Sequence, residues 1–261
     1  MTLNLYQVDA FTNQIFKGNP AAIIPLEKWL PDETMQALAA ENNLSETAFI
    51  IPKGDDFELR WFTPAIEVRL CGHATLATAN VLFEQLNYKE DRIRFHTKSG
   101  VLTVEKEEDF LVMNFPADEL EEIAILKEVQ DGLGAKVEKL YKGKDDYLAI
   151  LDSQQTLEQL TPDFRMLTQL DSRGIIATAK GEEFDFVSRG FFPKAGIDED
   201  PVTGSAHTTL TPYWSNVLGK KTLTARQLSQ RTGDLICTLD SDRVLLKGQA
   251  VLYLVGKVRV E

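Results

Sequence analysis

The sequence predicts an α+β protein of two similar lobes, and three observations carry that prediction. Strand-like stretches precede and follow each of two central apolar helical stretches, one in either half of the chain. Each half holds a Phe-(x)-Pro, a polar loop, a Gly, and then a helix opening with Ala and Thr. One copy is Gly72-His73-Ala74-Thr75-Leu76 and the other Gly204-Ser205-Ala206-His207-Thr208-Thr209-Leu210. Matches this short also arise by chance, so the residues alone leave an internal duplication open.

The elements follow in order. Leu3 to Phe11 alternates in part and reads as a strand; the loop through Gly18-Asn19-Pro20 leads to an apolar strand, Ala21 to Pro25. Pro31-Asp32-Glu33 opens a helix with acids in its first turn and an apolar stripe of Met35, Leu38 and Ala39, ended by Asn42-Asn43. Strands are expected from Ser45-Glu46-Thr47 to Ile51 and over Phe57–Phe62. Cys71-Gly72-His73 then opens a helix from Ala74 to Leu86, apolar on most sides and so buried. Strands near Ile93–Phe95, Val101–Glu105 and Leu111–Phe115 precede an acidic, then helical passage, Asp118 to Gly134. This places an N-terminal lobe over residues 1–115 and a C-terminal lobe over 116–261, with the C-terminal strand free to return to the first. In the second half, strands at Tyr147–Leu151 and Gly174–Thr178 flank a helix with Thr161 as N-cap and Pro162 at its first position. Phe184–Ser188 is a strand, Asp200 lies in a loop, a helix runs toward Leu218, and Leu235–Val260 reads as three strands with turns at Asp240-Ser241-Asp242 and Lys247-Gly248.

Composition narrows the function. With 43% hydrophobic and 26% charged residues among 261, the chain can bury a real core. Forty acids against 28 bases, a net charge of −12, oppose nucleic acid and anionic lipid as partners. Two separated cysteines, Cys71 and Cys237, favour a reducing compartment over a disulfide scaffold. No signal-peptide pattern and no apolar run near the ~20 residues of a bilayer span are visible, so a cytoplasmic location is expected.

Chemistry concentrates at a few positions. Gly72-His73 and Gly204-Ser205 each open a helix, where unpaired N–H groups and the helix dipole favour an anion such as a carboxylate; a tight strand-to-helix turn explains the same glycines equally. Glu46, at the mouth of an apolar strand, reads either as a partly desolvated acid–base group or as a solvated or turn-capping side chain. His73, at a helix N-terminus, tends toward a neutral ring that can shuttle a proton or serve structurally. Asp200, fixed by Pro201, either lines the Gly204 turn or closes a loop. Cys71 is either a thiol of lowered pKa or a small core residue. No metal-ligand spacing, P-loop, dinucleotide fingerprint or nucleophile elbow is present in the sequence.

Together the chain resembles the PhzF-like family of phenazine-biosynthesis-type isomerases. The matching stretches are Val8-Asp9-Ala10-Phe11 with Gly18-Asn19-Pro20-Ala21, Asn43 to Phe49, Leu59 to Pro64, Leu70 to Thr75, Arg189 to Pro193, and Glu199 to His207. The resemblance implies a diaminopimelate-epimerase-like fold of two pseudo-symmetric lobes, each a sheet wrapped around a central helix, with the site between them. It implies no metal, no organic cofactor, a small carboxylic acid as substrate and a homodimer. By position, Glu46 resembles the proton-transferring carboxylate, His73 and Asp200 its accompanying polar residues, and Gly72, Gly204 and Ser205 the substrate-carboxylate cradle. A same-fold racemase places a second thiol before the Gly of the second motif, where this chain has none; a binding protein that keeps the fold without turnover is the remaining alternative.

Overall fold

In the computed structural model, which describes residues 1–260, the chain opens with β1 (Thr2–Ala10), β2 (Asn19–Pro25), α1 (Asp32–Asn42), β3 (Glu46–Lys53), β4 (Asp56–Phe62), β5 (Glu67–Val68), α2 (Gly72–Glu84), β6 (Arg92–Thr97), β7 (Gly100–Glu107) and β8 (Phe110–Pro116). There follow β9 (Glu121–Ile123), α3 (Lys127–Leu133), β10 (Lys139–Lys142), β11 (Asp146–Ile150), α4 (Gln154–Glu158), α5 (Phe164–Leu167), β12 (Gly174–Lys180), β13 (Phe186–Phe192), β14 (Ile197–Asp200), α6 (Gly204–Leu218), β15 (Thr222–Gln227), β16 (Gly233–Asp240), β17 (Arg243–Gly248) and β18 (Ala250–Arg259). Two units form: Met1–Asn114 with the chain from Lys247 onward, and Phe115–Leu246. The lobe expected over 116–261 therefore ends earlier. β18 returns to the first unit because it pairs antiparallel with β1, from Thr2↔Arg259 to Ala10↔Ala250.

In the first unit, β2 and β3 are parallel with Ala21 opposite Glu46. The period of two along β3 divides its side chains between two helices. Thr47 takes a hydrogen bond from Asn42 of α1, and Phe49 joins Met35, Ala39, Ala22 and Ile24 in the core beneath α1. Glu46 and Ala48 face the other way, toward α2. That helix is buried almost all round, from His73 through Phe83 with only Asn80 excepted, and it packs against β1, β2, β3 and β18. In the second unit, Val129, Leu133, Leu157, Ile175, Ala177 and Phe191 belong to one core shared by α3, α4, β12 and β13.

The two units repeat one topology. In the first, β3–β4 and β4–β5 are antiparallel, α2 follows, β4–β6 is parallel and β6–β7 antiparallel. In the second, β12–β13 and β13–β14 are antiparallel, α6 follows, β13–β15 is parallel and β15–β16 antiparallel. A side-chain device repeats with them. Arg60 forks onto Glu67 and lies 5.2 Å over the Phe62 ring, while Arg189 forks onto Glu199 and lies 5.1 Å over Phe191. Pairing Thr47↔Phe62 and Ile175↔Phe191 equates Thr47 with Ile175, and so Glu46 with Gly174.

Several expectations are corrected. In the acidic, then helical passage Asp118–Gly134, the helix runs from Lys127, and before it Glu121–Ile123 pairs with β10 as a strand not expected there. Thr161 caps nothing; Asp163 caps α5, its carboxylate accepting from the Arg165 and Met166 amides. The helix expected from Ala74 begins at Gly72. Asp200, expected in a loop, ends β14 opposite Gly190. Among the described residues no helix is long and apolar enough to cross a membrane.

The turn into β2 depends on Gly18. Its φ is +65°, and a Cβ there would lie 2.2 Å from the Ala10 carbonyl oxygen. Gly18→Ala is expected to cost roughly 3 kcal/mol from left-handed strain plus that clash. Gly54→Ala, where φ is +62° and nothing lies within 4 Å, should cost only about 1 kcal/mol. Urea unfolding of the two variants checks the difference.

Candidate active site

Glu46 opens β3, and the α2-facing side of that strand carries its carboxylate against the first turn of α2. The contact is with His73: Nε2 lies 3.0 Å from Oε2, with side-chain exposures of 6% and 10%. The two atoms are misaligned for a linear hydrogen bond and have no other partner. On the far side of the ring, Asn19 of β2 offers its amide nitrogen to Nδ1 at 3.2 Å, and the Cys71 sulfur lies 3.5 Å from the same nitrogen. Cys71 is the N-cap of α2 but does not hydrogen-bond the helix start through its side chain. The sequence left Glu46 open between a buried and a solvated role; here it is buried.

Burial dominates the electrostatics. It pushes the Cys71 thiol up to about 11, with the Glu46 charge adding to it; the lowered pKa considered from sequence is not found, and the group is a thiol at neutral pH. For His73, burial pulls downward, while a Cys71 thiolate and the Glu46 carboxylate together pull the ring above the ordinary histidine range. Near neutrality Cys71 is a thiol, its pull is absent, and Glu46 alone stands against burial. The neutrality expected of His73 from its helix position is thus opposed by a buried carboxylate. Donor atoms of Glu46, Cys71 and His73 all lie within 4.8 Å of one another, a grouping invisible in the sequence because Glu46 comes from a different strand. The ring stands between the carboxylate at Nε2 and the sulfur at Nδ1, so one ion could take all three donors only if the ring turned.

In the second unit, Asp200 is buried and accepts a hydrogen bond of 2.6 Å from the Thr203 hydroxyl. Gln227, wholly buried, clamps this loop: its amide nitrogen donates to the Asp200 carbonyl at 2.7 Å, and its oxygen accepts from the Thr203 amide at 2.9 Å. Thr203 is the N-cap of α6, Gly204 and Ser205 its first two residues. Ser205 accepts from Arg173 at 3.2 Å, and Arg173 forks onto the buried Asp146. The structure thus brings Glu46, Gly72 and His73 together in one unit, and Asp200, Gly204 and Ser205 in the other. Sequence reasoning missed Asn19, Thr203, Gln227, Arg173 and Asp146; Asn19 and Thr203 lay within quoted motifs, whereas nothing local marked Gln227.

A model of the phenazine biosynthesis-like protein family, PhzC-PhzF, matches residues 8–256. An uncharacterised isomerase of Pseudomonas aeruginosa is 49% identical over 260 residues, covering all of both chains. A crystal structure of a PhzF-family phenazine biosynthesis protein from Enterococcus faecalis superposes with a TM-score of 0.97 at 48% identity, again over all of both chains. A hydroxyproline epimerase from Agrobacterium vitis, 9% identical, shares the fold at a TM-score of 0.63 over 98% of this chain and 92% of its own.

His207 is buried on α6. Its Nδ1 donates to the Thr203 carbonyl at 2.8 Å, and Nε2 is buried without a partner. Burial depresses its pKa to about 4, against 6.5 ordinarily, the hydrogen bond offsetting little. The folded pKa lies below the unfolded one, so the unfolded chain takes up the proton first. The stability this gives is complete above about pH 6.5 and drains away as pH falls toward 4, by roughly 3 kcal/mol at most. His207→Asn keeps a donor for the Thr203 carbonyl without the titration. Denaturant unfolding between pH 7 and 4 should show a shallower loss of stability in that variant than in wild type.

Proposed function

The chain belongs to the phenazine biosynthesis-like PhzC-PhzF family, and on that premise we propose that it is a cofactor-independent isomerase moving a proton between carbons of a small hydroxy or amino carboxylic acid. Glu46 is the acid–base group. His73 and Asp200 relay protons or hold the substrate, and Gly72, Gly204 and Ser205 cradle its carboxylate at helix N-termini, where N–H groups and the dipole favour an anion. Placing the carboxylate there lowers the cost of developing negative charge on the adjacent carbon. Glu46 then removes a carbon-bound proton and returns one to a different carbon on the same face.

The observation that carries this reading is the asymmetry of the repeat. Glu46 is buried against His73, but its counterpart is Gly174, where a Cβ would meet Phe192 at 2.3 Å and the Phe191 carbonyl at 2.5 Å. No second carboxylate fits the equivalent place. A single base suits a double-bond shift, whereas an inverting epimerase usually uses bases on both faces. The two-thiol racemase is disfavoured by the N-caps: Cys71 precedes Gly72, but Thr203 precedes Gly204 and spends its hydroxyl on Asp200. Cys71, held as a thiol by burial, is also a poor base near neutrality.

The test is deuterium incorporation from D₂O into a panel of small hydroxy and amino carboxylates. Wild type should exchange at least one of them, Glu46→Gln should lose at least a hundredfold in rate, and Cys71→Ser should stay within tenfold of wild type. Loss with Cys71→Ser but not Glu46→Gln would transfer the base to the thiol. Binding without exchange in wild type would make the chain a binding protein.

A further inference from the structure

The Gly18-Asn19-Pro20 motif delivers a wholly buried side chain to His73. Parallel pairing of β2 with β3 puts Ala21 beside Glu46, and Asn19, two residues before Ala21, projects from the same face of β2. The left-handed Gly18, closed against the Ala10 carbonyl, fixes where β2 starts and hence where Asn19 sits.

The chemistry at Nδ1 is decided by what faces it. The Asn19 Nδ2 atom, 3.2 Å away, is a donor only. Cys71, 3.5 Å away, is a second donor while it holds its thiol proton. A ring proton on Nδ1 would point at these hydrogens, so Nδ1 is an acceptor and the ring proton belongs on Nε2, 3.0 Å from Glu46. The charge of Glu46 favours adding a second proton to the ring; the two donors at Nδ1 oppose it.

We propose that Asn19 is a positioning residue that, with Cys71, keeps Nδ1 of His73 free of a proton and so commits the ring's single proton to Nε2, facing Glu46. This rests on the reading of Glu46 as the acid–base group, which it deepens. A ring fixed in this form presents its proton toward Glu46 while remaining neutral.

The near-isosteric Asn19→Asp reverses the polarity, since a carboxylate at this position accepts from Nδ1–H and favours the doubly protonated ring. The protein labelled with ¹⁵N-histidine has only three histidines, and a His73→Asn spectrum assigns the one concerned. Long-range ¹H–¹⁵N correlation at pH 7 should show His73 protonated at Nε2 alone in wild type and at both nitrogens in Asn19→Asp. His73 should titrate at higher pH in that variant, and deuterium incorporation across the acid panel should fall at least tenfold. If Asn19→Asp does not fold, Asn19→Ala should allow Nδ1–H to appear. A proton on Nδ1 in wild type, or a His73 signal that neither variant moves, overturns the proposal. The spectra need no turnover, so an error about Glu46 as the base shows separately, as exchange that survives Glu46→Gln while the His73 signals still respond to Asn19.

Discussion

The contact between the Glu46 carboxylate and the His73 ring is the constraint around which the first unit is arranged. A carboxylate taken out of water in a core is held there only if a partner answers its charge, and that partner has to come from an element packed on the same face of β3. The parallel register of β2 and β3 selects the face. α2 must then begin at Gly72, so that His73 falls in its first turn. The helix behind it is buried on nearly every side, so its position is set by close packing and the ring has little room to drift.

The second unit shows what the scaffold does without that contact. Its strands pair in the same sequence, its Arg189–Glu199 fork repeats Arg60–Glu67, and each guanidinium lies over a phenylalanine. At the equivalent positions, however, Glu46, Cys71 and His73 give way to Gly174, Thr203 and Ser205. The space beside Gly174 is filled by Phe192. The buried polar demand moves instead to Asp200, answered by the Thr203 hydroxyl. The repeated residues are those that tie neighbouring strands together; the divergent ones are those that can move or hold a proton. A duplicated frame with unlike chemistry in its two copies leaves one buried carboxylate at this place rather than a symmetrical pair.

Much of this was legible in the sequence where the signal is local. Asn42-Asn43 stops α1, and Asn43 adopts a φ of 49° there; the apolar helix after Cys71 is buried; the three C-terminal strands form. What escaped was whatever depends on partners distant in the chain. β9 and β10 are short and stabilise one another, and β15 is a strand because β13 and β16 flank it. The return of β18 to β1, which the sequence left open, is a pairing across nearly the whole chain and needed the partner strand to decide it. For the site, Glu46 and His73 could each be nominated, but whether either was buried required β3 and α2 to be seen together. Gln227 carried no mark at all, because an amide that clamps a loop 24 residues away looks like any polar residue in a strand.

His73 and His207 show why burial by itself does not assign a role. Each sits on a central helix, at its second and fourth residue respectively, and each is almost wholly removed from water. His207 faces a carbonyl and an apolar surround that includes the Phe186 ring at 6.0 Å, so nothing compensates a charge and its pKa falls to about 4. His73 faces a carboxylate, and its pKa is driven the opposite way. With desolvation working downward on both, the sign of the outcome is set by the neighbour. A ring opposed only by a carbonyl stays neutral through the whole physiological range and serves the helix. A ring set between a carboxylate at one nitrogen and two donors at the other feels opposed pulls on a second proton, so its state is decided by those neighbours and not by burial.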